Sequence, residues 1–568
     1  MIHLTIDGIP VQVEEGTTIL QAARQIGVEI PTLCYLEDVL PDGSCRLCVV
    51  EVTNKGRTKF DTACTLRCSE GDEVQTMSEK VVAYRKDTLD LLLSDHRIHC
   101  FSCESNGNCK LQDYCFEYGV EKTSYPGEMK DMPVDDSNKF FTYDPSLCIL
   151  CHRCVNTCKE IVGRGAIDTM NRGFESVIGT HYKNRWDQGI CESCGNCVQA
   201  CPTGALSMKR RKKYRPWQVE KKVLTTCPHC GTGCQFYLVV KDGKIVDTEA
   251  YDGASNKGLL CVKGRSGSFD FVNSPDRLKY PLIKNKETGE FERATWDEAL
   301  DLVASKFMEI KKQYGPESLA GFACSRSPNE DIYMVQKMVR TCFGTNSTDN
   351  CARVCHSASV AGLAMTLGSG AMTNPIEDIT RNPDLIFLIG SNPEEAHPVI
   401  GMQIRQAVNR GCKLIVADPR DIGLSKRADI HLKLKPGTNV AFANGIMHVI
   451  IEEGLQDEQF IKERTEGYEK IREIVKEYTP ERVAEICHID PDDLRRAAIM
   501  YAKAEKAPII YCLGVTEHST GTEGVMSMSN MALLVGKLGR SGCGVNPLRG
   551  QNNVQGACGM GATPTNFP

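Results

Sequence analysis

The sequence predicts a multidomain chain in which small α+β modules precede a large α/β region with mostly parallel sheets. Three observations predict it. At 568 residues the chain exceeds what one core sustains, since cores rarely grow past ~250–300 residues. Most of its 30 cysteines stand in short, tightly spaced groups before residue 262. From about Arg293 onward, short apolar strands alternate with helical stripes, the pattern of a parallel sheet with crossover helices.

Composition bounds the function. A hydrophobic share of 41% and a charged share of 25% are those of a globular protein. A net charge of -6 gives no reason to expect nucleic acid. No apolar run approaches the ~18–20 residues that span a bilayer, so no membrane partner is expected. Residues 1–10 alternate like a strand and carry no charged n-region, apolar h-region or twin-arginine signal, so the expected location is the cytoplasm. There the thiols stay reduced, and their spacing suits metal rather than disulfides.

Residues 1–80 open with a hairpin, 2–6 and 11–14 around Asp7-Gly8, and a helix over 18–26. Cys34, Cys45, Cys48 and Cys64 follow with spacing C-x10-C-x2-C-x15-C. The string resembles a 2Fe–2S ferredoxin-like domain, with the longer gap found in complex I and iron hydrogenase subunits. Gly43 lets backbone pass close to the inorganic core. Cys68 is left over and reads as a buried structural thiol. Residues 81–120 carry His96, Cys100, Cys103 and Cys109, which resemble the His/Cys3 4Fe–4S site of the same families. His99 is the competing histidine, and Cys115 has no place in the pattern.

Residues 138–210 hold two ferredoxin runs, Cys148, Cys151, Cys154, Cys158 and then Cys191, Cys194, Cys197, Cys201, the last before Pro202. In such a 2×4Fe–4S domain the fourth cysteine of each run serves the other cluster. Cys201 therefore completes the first set and Cys158 the second. The basic stretch 209–215 reads as a solvated linker, with phosphate or partner contact as the sharper reading. Residues 220–280 carry Cys227, Cys230, Cys234 and Cys261, spaced like the 4Fe–4S domain of molybdopterin oxidoreductases. Lys263, two residues on, takes by resemblance the place between cluster and pterin; the plain alternative is a surface lysine.

Residues 281–568 complete the chain. Thr295 to Glu298 reads as a capping box, followed by a stripe of Leu300, Val303, Phe307 and Ile310 that stops near Gly315. Strands Leu385–Ile389 and Lys413–Ala417 end in Gly390-Ser-Asn-Pro393 and Asp418-Pro-Arg420. A further helix is capped by Asp490-Pro491 and stopped at Pro508. Ligands of such sheets sit beyond the strand C-termini.

Four strings now carry a closer resemblance: 350–357 (NCARVCHS), 390–398 (GSNPEEAHP), 436–439 (PGTN) and 544–556 (GVNPLRGQNNVQG). From about Cys227 onward the chain resembles molybdenum- or tungsten-dependent formate dehydrogenases. The resemblance implies Cys355 as protein ligand of the metal, His356 as proton acceptor or orienting group, and Arg549 as a clamp for the formate carboxylate. It implies a bis(molybdopterin guanine dinucleotide) held by Lys263, Arg326, Gly390, Asn392, His397, Asp418, Arg420, Gly437, Asn439, Gly514 and Gln551. The expected partners are formate and carbon dioxide, with a flavin diaphorase, ferredoxin or hydrogenase accepting electrons. No Gly-x-Gly-x-x-Gly follows a strand, which places any nicotinamide or flavin on a partner.

Departures and rivals accompany the resemblance. Glu517 stands where relatives have Gln, and Gly559 where they have Asp. Family members run several hundred residues further, so the expectation is a fragment, or a second polypeptide supplying the remaining C-terminal domains. The rival functions are a non-catalytic wiring subunit of the complex I type, an iron hydrogenase, and another molybdopterin oxidoreductase such as a nitrate reductase. The paired runs and the Cys355-His356 string weigh against the first, and the missing hydrogen-cluster cysteines against the second.

One 2Fe–2S and four 4Fe–4S clusters amount to roughly 18 irons in the anaerobically purified chain. An iron count near ten, with no 2Fe–2S signal in paramagnetic resonance, would refute the ligand sets.

Overall fold

The computed structural model describes residues 1–130, 132–181, 185–267 and 269–568. They divide into two units. The first comprises Met1–Val223, Tyr237–Ala250 and Leu260–Ser268, and the second Leu224–Phe236, Tyr251–Leu259 and Phe269–Pro568.

In the first unit Ile2–Ile6 pairs antiparallel with Ile9–Val13. The second strand begins two residues before the predicted 11 because Asp7 (φ 48°) and Gly8 (φ 80°) complete a two-residue turn, leaving Ile9 and Pro10 in register. Glu73–Gln75, Val49–Asn54 and Arg57–Thr62 extend the sheet, the first of them parallel to Ile2–Ile6. Thr18 and Gln21 cap one another, so the helix runs Ile19–Gln25 and buries Ile19, Leu20, Ala22 and Ala23. Cys68 is buried in the same core, as a structural thiol should be.

Helix Glu79–Leu93 sends the buried Arg85 to the Tyr118 hydroxyl (3.0 Å) and the Val49 carbonyl (3.0 Å), tying the sheet to helix Lys110–Tyr118. Further on, the chain repeats one motif. Phe141–Tyr143 pairs with Leu206–Met208, and Ile167–Met170 with Val177–Thr180. Short helices Arg153–Asn156 and Asn196–Ala200 start at equivalent places in the two cysteine runs. Left-handed residues stand before each, Leu150 and His152 in one run, Ser193 and Gly195 in the other. The 209–215 stretch differs from the solvated linker predicted. Lys209 pairs with Asp136, Arg211 with Asp247 and Lys212 with Glu104, which pins a single-turn helix, Lys209–Lys213, to the unit.

The second unit is built on a five-stranded parallel sheet. Its order is Ile430–Leu432, Lys413–Ala417, Leu385–Ile389, Ile509–Tyr511, Val545–Pro547. All five residues of Leu385–Ile389 are buried, as a strand covered on both faces requires. Leu385, Phe387 and Ile389 meet Phe442, Ile446, Leu494 and Tyr501, while Ile386 and Leu388 meet Ile400 and Ile404. The helix predicted to reach Pro508 stops at Lys503, because Ala504 turns to extended backbone (ψ 137°). Among the described residues no helix is long and apolar enough to cross a membrane.

Helix Trp296–Tyr314 has the capping box predicted, with Glu298 N donating to Thr295 Oγ1 (3.3 Å) and Thr295 N to Glu298 Oε2 (2.8 Å). Its stripe is only half covered. Phe307 and Ile310 pack on Leu319, Val339 and Phe343, whereas Leu300 and Val303 stay 58% and 49% exposed. Leu300→Lys should therefore change stability by less than ~0.5 kcal/mol. Phe307→Ala, which removes a ring 4.9 Å from that of Phe343, should cost on the order of 2 kcal/mol. Thermal unfolding of the two variants checks the contrast; equal shifts would contradict this packing.

Candidate active site and cluster ligands

Three of the expected sulfur sets come together within the first unit. Cys34 lies within hydrogen-bond reach of Cys45 and Cys64, and Cys48 of Cys64, with all four thiols buried. One cavity is lined by Cys148, Cys151, Cys154 and Cys201, and a second by Cys158, Cys191, Cys194 and Cys197. The crossing of the fourth cysteines is thus present in the geometry. Burial pushes the Cys194 thiol up to about 12, so that sulfur needs a cation to become a thiolate. A soft metal cluster supplies that charge, and the donor sets fit it.

The two histidines at the third site behave differently. His96 is buried, its Nδ1 lacks a hydrogen-bond partner, and burial holds its pKa down at about 4, so the ring is neutral as a ligand must be. The His99 ring instead sits 3.1 Å from the Arg97 carbonyl through Nδ1. Cys103 is accommodated because residue 204 is glycine; a Cβ there would stand 2.7 Å from its Sγ. Of the fifth set, Cys227, Cys230 and Cys234 belong to the second unit, and Cys261 and the exposed Lys263 to the first. Cys227 N donates to Cys234 O (2.8 Å), which closes that loop.

In the second unit the strand order reverses between Leu385–Ile389 and Ile509–Tyr511, the place where parallel sheets bind dinucleotides. Gly390 directly follows the first of these strands, Gly514 lies in the short helix Leu513–Thr516 that follows the second, and Gly514 N donates to Gly390 O (3.0 Å). A Cβ on Gly514 would lie 2.6 Å from Gly390 Cα, so neither position has room for a side chain. Beyond them runs a groove lined by Gly390, Asn392, Asp418, Arg420, Gly437, Asn439 and Gly514, seven of the predicted cofactor residues. Lys435 adds a cationic group, and His518 and Cys512 line the same groove. Ser391 Oγ and Asn392 Oδ1 are buried with no hydrogen-bond partner. Orphaned polar atoms, cations and backbone glycines in one groove fit a pterin dinucleotide with its phosphates.

The remaining predicted contacts lie elsewhere. Arg326 is exposed and donates to the carbonyls of Pro228 (3.2 Å) and His229 (2.7 Å). Gln551 Oε1 accepts from the Cys351 thiol. His397 is buried, with Nε2 2.6 Å from the Arg549 carbonyl. These three side chains hold protein rather than line the groove.

Cys355, His356 and Arg549 do come together. Cys355 is half-buried in the turn before helix Ser357–Leu367, and its carbonyl accepts from Thr516 Oγ1 (2.9 Å). Burial pushes its thiol up to about 11, helped by Cys351, Cys512 and Glu517 and opposed by Arg549. His356 is fully buried. Its Nδ1 lies 2.9 Å from Ser359 Oγ, which also accepts from Tyr511 (3.0 Å), and its Nε2 lies 4.0 Å from Cys512 Sγ. Burial, then the Arg549 charge, hold its pKa down at about 3.

Arg549 donates to His356 O (3.3 Å) and Gly370 O (2.7 Å), and its buried Nε has no partner. Among the described residues no carboxylate lies within ion-pair range of it. The residue is held from behind as well: a Cβ on Gly231 would stand 2.0 Å from the Arg549 carbonyl. Gly231, Ser391 and Cys512 escaped the sequence reading. Cys512 was within reach of it, since it follows a strand directly on the ligand-binding edge; Gly231 reads only as part of a cluster loop.

Comparison with known proteins agrees with this geometry. The molybdopterin oxidoreductase family pattern matches residues 277–568, and its Fe4S4 domain matches 220–274. A 2Fe-2S iron-sulfur cluster binding domain matches 1–79, the NADH-ubiquinone oxidoreductase-G iron-sulfur binding region 85–124, and the ferredoxin-like domain of NADH-quinone oxidoreductase subunit 3 140–207. Similar proteins include the probable oxidoreductase YjgC of Bacillus subtilis, 34% identical over 100% of this chain and 61% of its own. The alpha subunit of F420-dependent formate dehydrogenase 2 of Methanococcus maripaludis is 51% identical over 61% of this chain and 50% of its own. Formate dehydrogenase H of Escherichia coli is 47% identical over 61% and 49%. Among solved structures, acetylene hydratase from Pelobacter acetylenicus superposes with a TM-score of 0.50 at 29% identity, over 56% of this chain and 43% of that one. The chain thus spans about half to three-fifths of the length of these curated relatives.

Gly514→Ala should force the two strand-end loops apart, at a cost of about 1–3 kcal/mol, and lower pterin content. Gly454→Ala, outside the groove and with nothing within 4 Å of its Cβ, should lose far less pterin despite its φ of 65°. Fluorescence of the oxidised pterin released from each variant checks this; equal loading would contradict the groove assignment.

Proposed function

Given that the chain belongs to the molybdopterin oxidoreductase family, we propose that it is the catalytic subunit of a cytoplasmic formate dehydrogenase. The reaction is the reversible two-electron oxidation of formate to carbon dioxide and a proton. The cofactors are molybdenum or tungsten in a bis(molybdopterin guanine dinucleotide), one 2Fe–2S cluster and four 4Fe–4S clusters, distributed over modules 1–80, 81–120, 138–210, 220–280 and 281–568. Electrons leave for a flavin diaphorase, ferredoxin or hydrogenase partner. The relatives named formate dehydrogenase support this reading, since they match the α/β region at 47–51% identity.

The observation that carries it is Arg549. A buried guanidinium is costly unless an anion meets it, and here its two hydrogen bonds go to neutral carbonyls. A free Nε–H and a planar fork suit a small carboxylate, which two parallel N–H groups orient beside Cys355. His397 and Gly231 fix the Arg549 backbone, so the fork is aimed before substrate arrives.

Cys355 holds the metal, for which a soft thiolate is the apt protein ligand. When bound, the metal–pterin group supplies the two-electron chemistry and the clusters carry electrons singly. His356 orients: its Nδ1 is committed to the Ser359–Tyr511 hydroxyl pair, which fixes the ring plane next to Cys512 on the groove. Asp418 and Asn439 serve the dinucleotide at the strand ends, with Arg420 and Lys435 as phosphate partners.

Cys355→Ser should abolish formate-dependent dye reduction and leave every cluster reducible by dithionite, because a hydroxyl is a poor soft-metal ligand and Cys355 belongs to no cluster set. Retention of most activity would refute the ligand assignment. Arg549→Lys should raise the KM for formate roughly tenfold, the equivalent of ~1.4 kcal/mol, with a smaller effect on kcat. An unchanged KM would refute the clamp.

A further inference from the structure

We infer that Arg265 is a positioning residue of the electron relay, whose buried charge raises the reduction potential of the cluster held by Cys158, Cys191, Cys194 and Cys197. The inference rests on the relay reading above and on contacts within the first unit. Arg265 is only 4% exposed. Its Nε donates to Cys194 O (3.1 Å), and its Nη2 to Asn196 Oδ1 (3.1 Å) and Gln199 Oε1 (2.5 Å). Three hydrogen bonds thus wrap the guanidinium around the Cys194-to-Cys197 loop. Gly195 makes the room, for a Cβ there would stand 2.3 Å from Arg265 Cδ. Asp247, Cys194, Cys197 and Cys261 are the acidic groups whose fields reach it.

The other end of the residue is anchored to a second cluster ligand. Arg265 N donates to Cys261 O (3.0 Å), closing the turn Val262–Ser266, and Thr248 Oγ1 donates to the Gly264 and Arg265 carbonyls. Asn196 latches the two loops: its Nδ2 donates to Leu260 O (3.0 Å) and its Oδ1 accepts from Leu260 N (3.2 Å). Asn196 directly precedes Cys197, and Leu260 directly precedes Cys261. The guanidinium is therefore fixed between the sulfurs of one cluster and a ligand of the next.

The sign follows from charge. Reduction adds one negative charge to the cluster, and a cation fixed nearby in a medium of low dielectric stabilises that state more than the oxidised one. All three side-chain hydrogen bonds end on neutral oxygens, and Asp247, whose field reaches the group, is engaged by Tyr214 (2.6 Å) and Arg211 (3.9 Å) instead of pairing with it, so the charge keeps its reach toward the cluster. Removing it lowers the potential.

The test is potentiometric titration of the full chain, poised with dithionite and followed by paramagnetic resonance. No formate is used, so failure of the formate reading leaves the result interpretable. Arg265→Gln should shift one 4Fe–4S wave downward, such that the reduced-to-oxidised ratio at its former midpoint falls about tenfold, or ~59 mV for one electron. The other waves should stay in place. Arg265→Lys should keep most of the potential, which a merely structural role would not allow. Gln199→Glu, at an exposed position, neutralises the charge without disturbing the core and should shift the same wave downward by less. If Arg265→Gln loses the cluster altogether, Gln199→Glu decides. An unmoved wave in Gln199→Glu, or a fall in Arg265→Lys as large as in Arg265→Gln, would overturn the inference.

Discussion

Two glycine backbones in contact determine where the second unit can bind anything. Gly390 follows one of two adjacent parallel strands and Gly514 lies in the first turn after the other, and their hydrogen bond is as short as a ladder bond inside the sheet. From that point one loop turns toward the Lys413–Ala417 side and the other toward helix Gly521–Leu534, because the strand order reverses there. The crevice that opens between diverging loops is a consequence of topology, and every polar group that lines it depends on the two backbones staying close. A side chain at either position would push the two segments apart just beyond the strand ends, which is why both are glycine.

The first unit meets a different constraint. Its modules are each well under a hundred residues, a size at which apolar burial alone seldom suffices. Cysteine sulfur is part of their cores: Cys148, Cys154 and Cys197 pack with Phe141, Tyr143 and Trp186. Buried thiols have pKa values raised by desolvation, so without metal they are neutral and contribute little more than small apolar groups. With metal the same atoms become covalent cross-links, and binding energy becomes folding energy. The left-handed residues Leu150, His152 and Ser193 are tolerated because the ligand loop must turn tightly enough to present sulfurs on one side.

Much of this was legible in the sequence, for identifiable reasons. Ligand spacing is a local property, so the cysteine sets, including the exchange of Cys158 and Cys201, follow from the string alone. Strand ends marked by Gly390 and Asp418 were readable because turn residues interrupt apolar runs. What remained hidden depends on contacts far apart in sequence. Nothing near Arg326, His397 or Gln551 shows that their side chains hold the Pro228 carbonyl, the Arg549 carbonyl and the Cys351 thiol instead of lining the groove. The 209–215 run reads as solvated charge because its partners, Asp136, Asp247 and Glu104, are remote in the chain. Helix Trp296–Tyr314 shows the converse: its period was clear, while the exposure of Leu300 is a tertiary fact.

The buried guanidiniums divide into two kinds, and the division bears on function. Arg405 is almost fully buried and pairs with Glu394 at 2.8 Å, so its charge is cancelled where it stands and it serves to fix helix Pro398–Asn409. Arg549 and Arg265 are buried as deeply, yet their hydrogen bonds end on carbonyl and amide oxygens. Arg85 belongs with them, its Nη2 on the carbonyl of the residue after Cys48. Neutral acceptors fix the orientation of a guanidinium while leaving its net charge for whatever anion arrives. A carboxylate partner would be the cheaper way to bury the same group, and it would also extinguish the field. Keeping the charge is sensible only where the compensating negative charge comes and goes, as a substrate carboxylate would at one place and an added electron at the other under the two proposals made above.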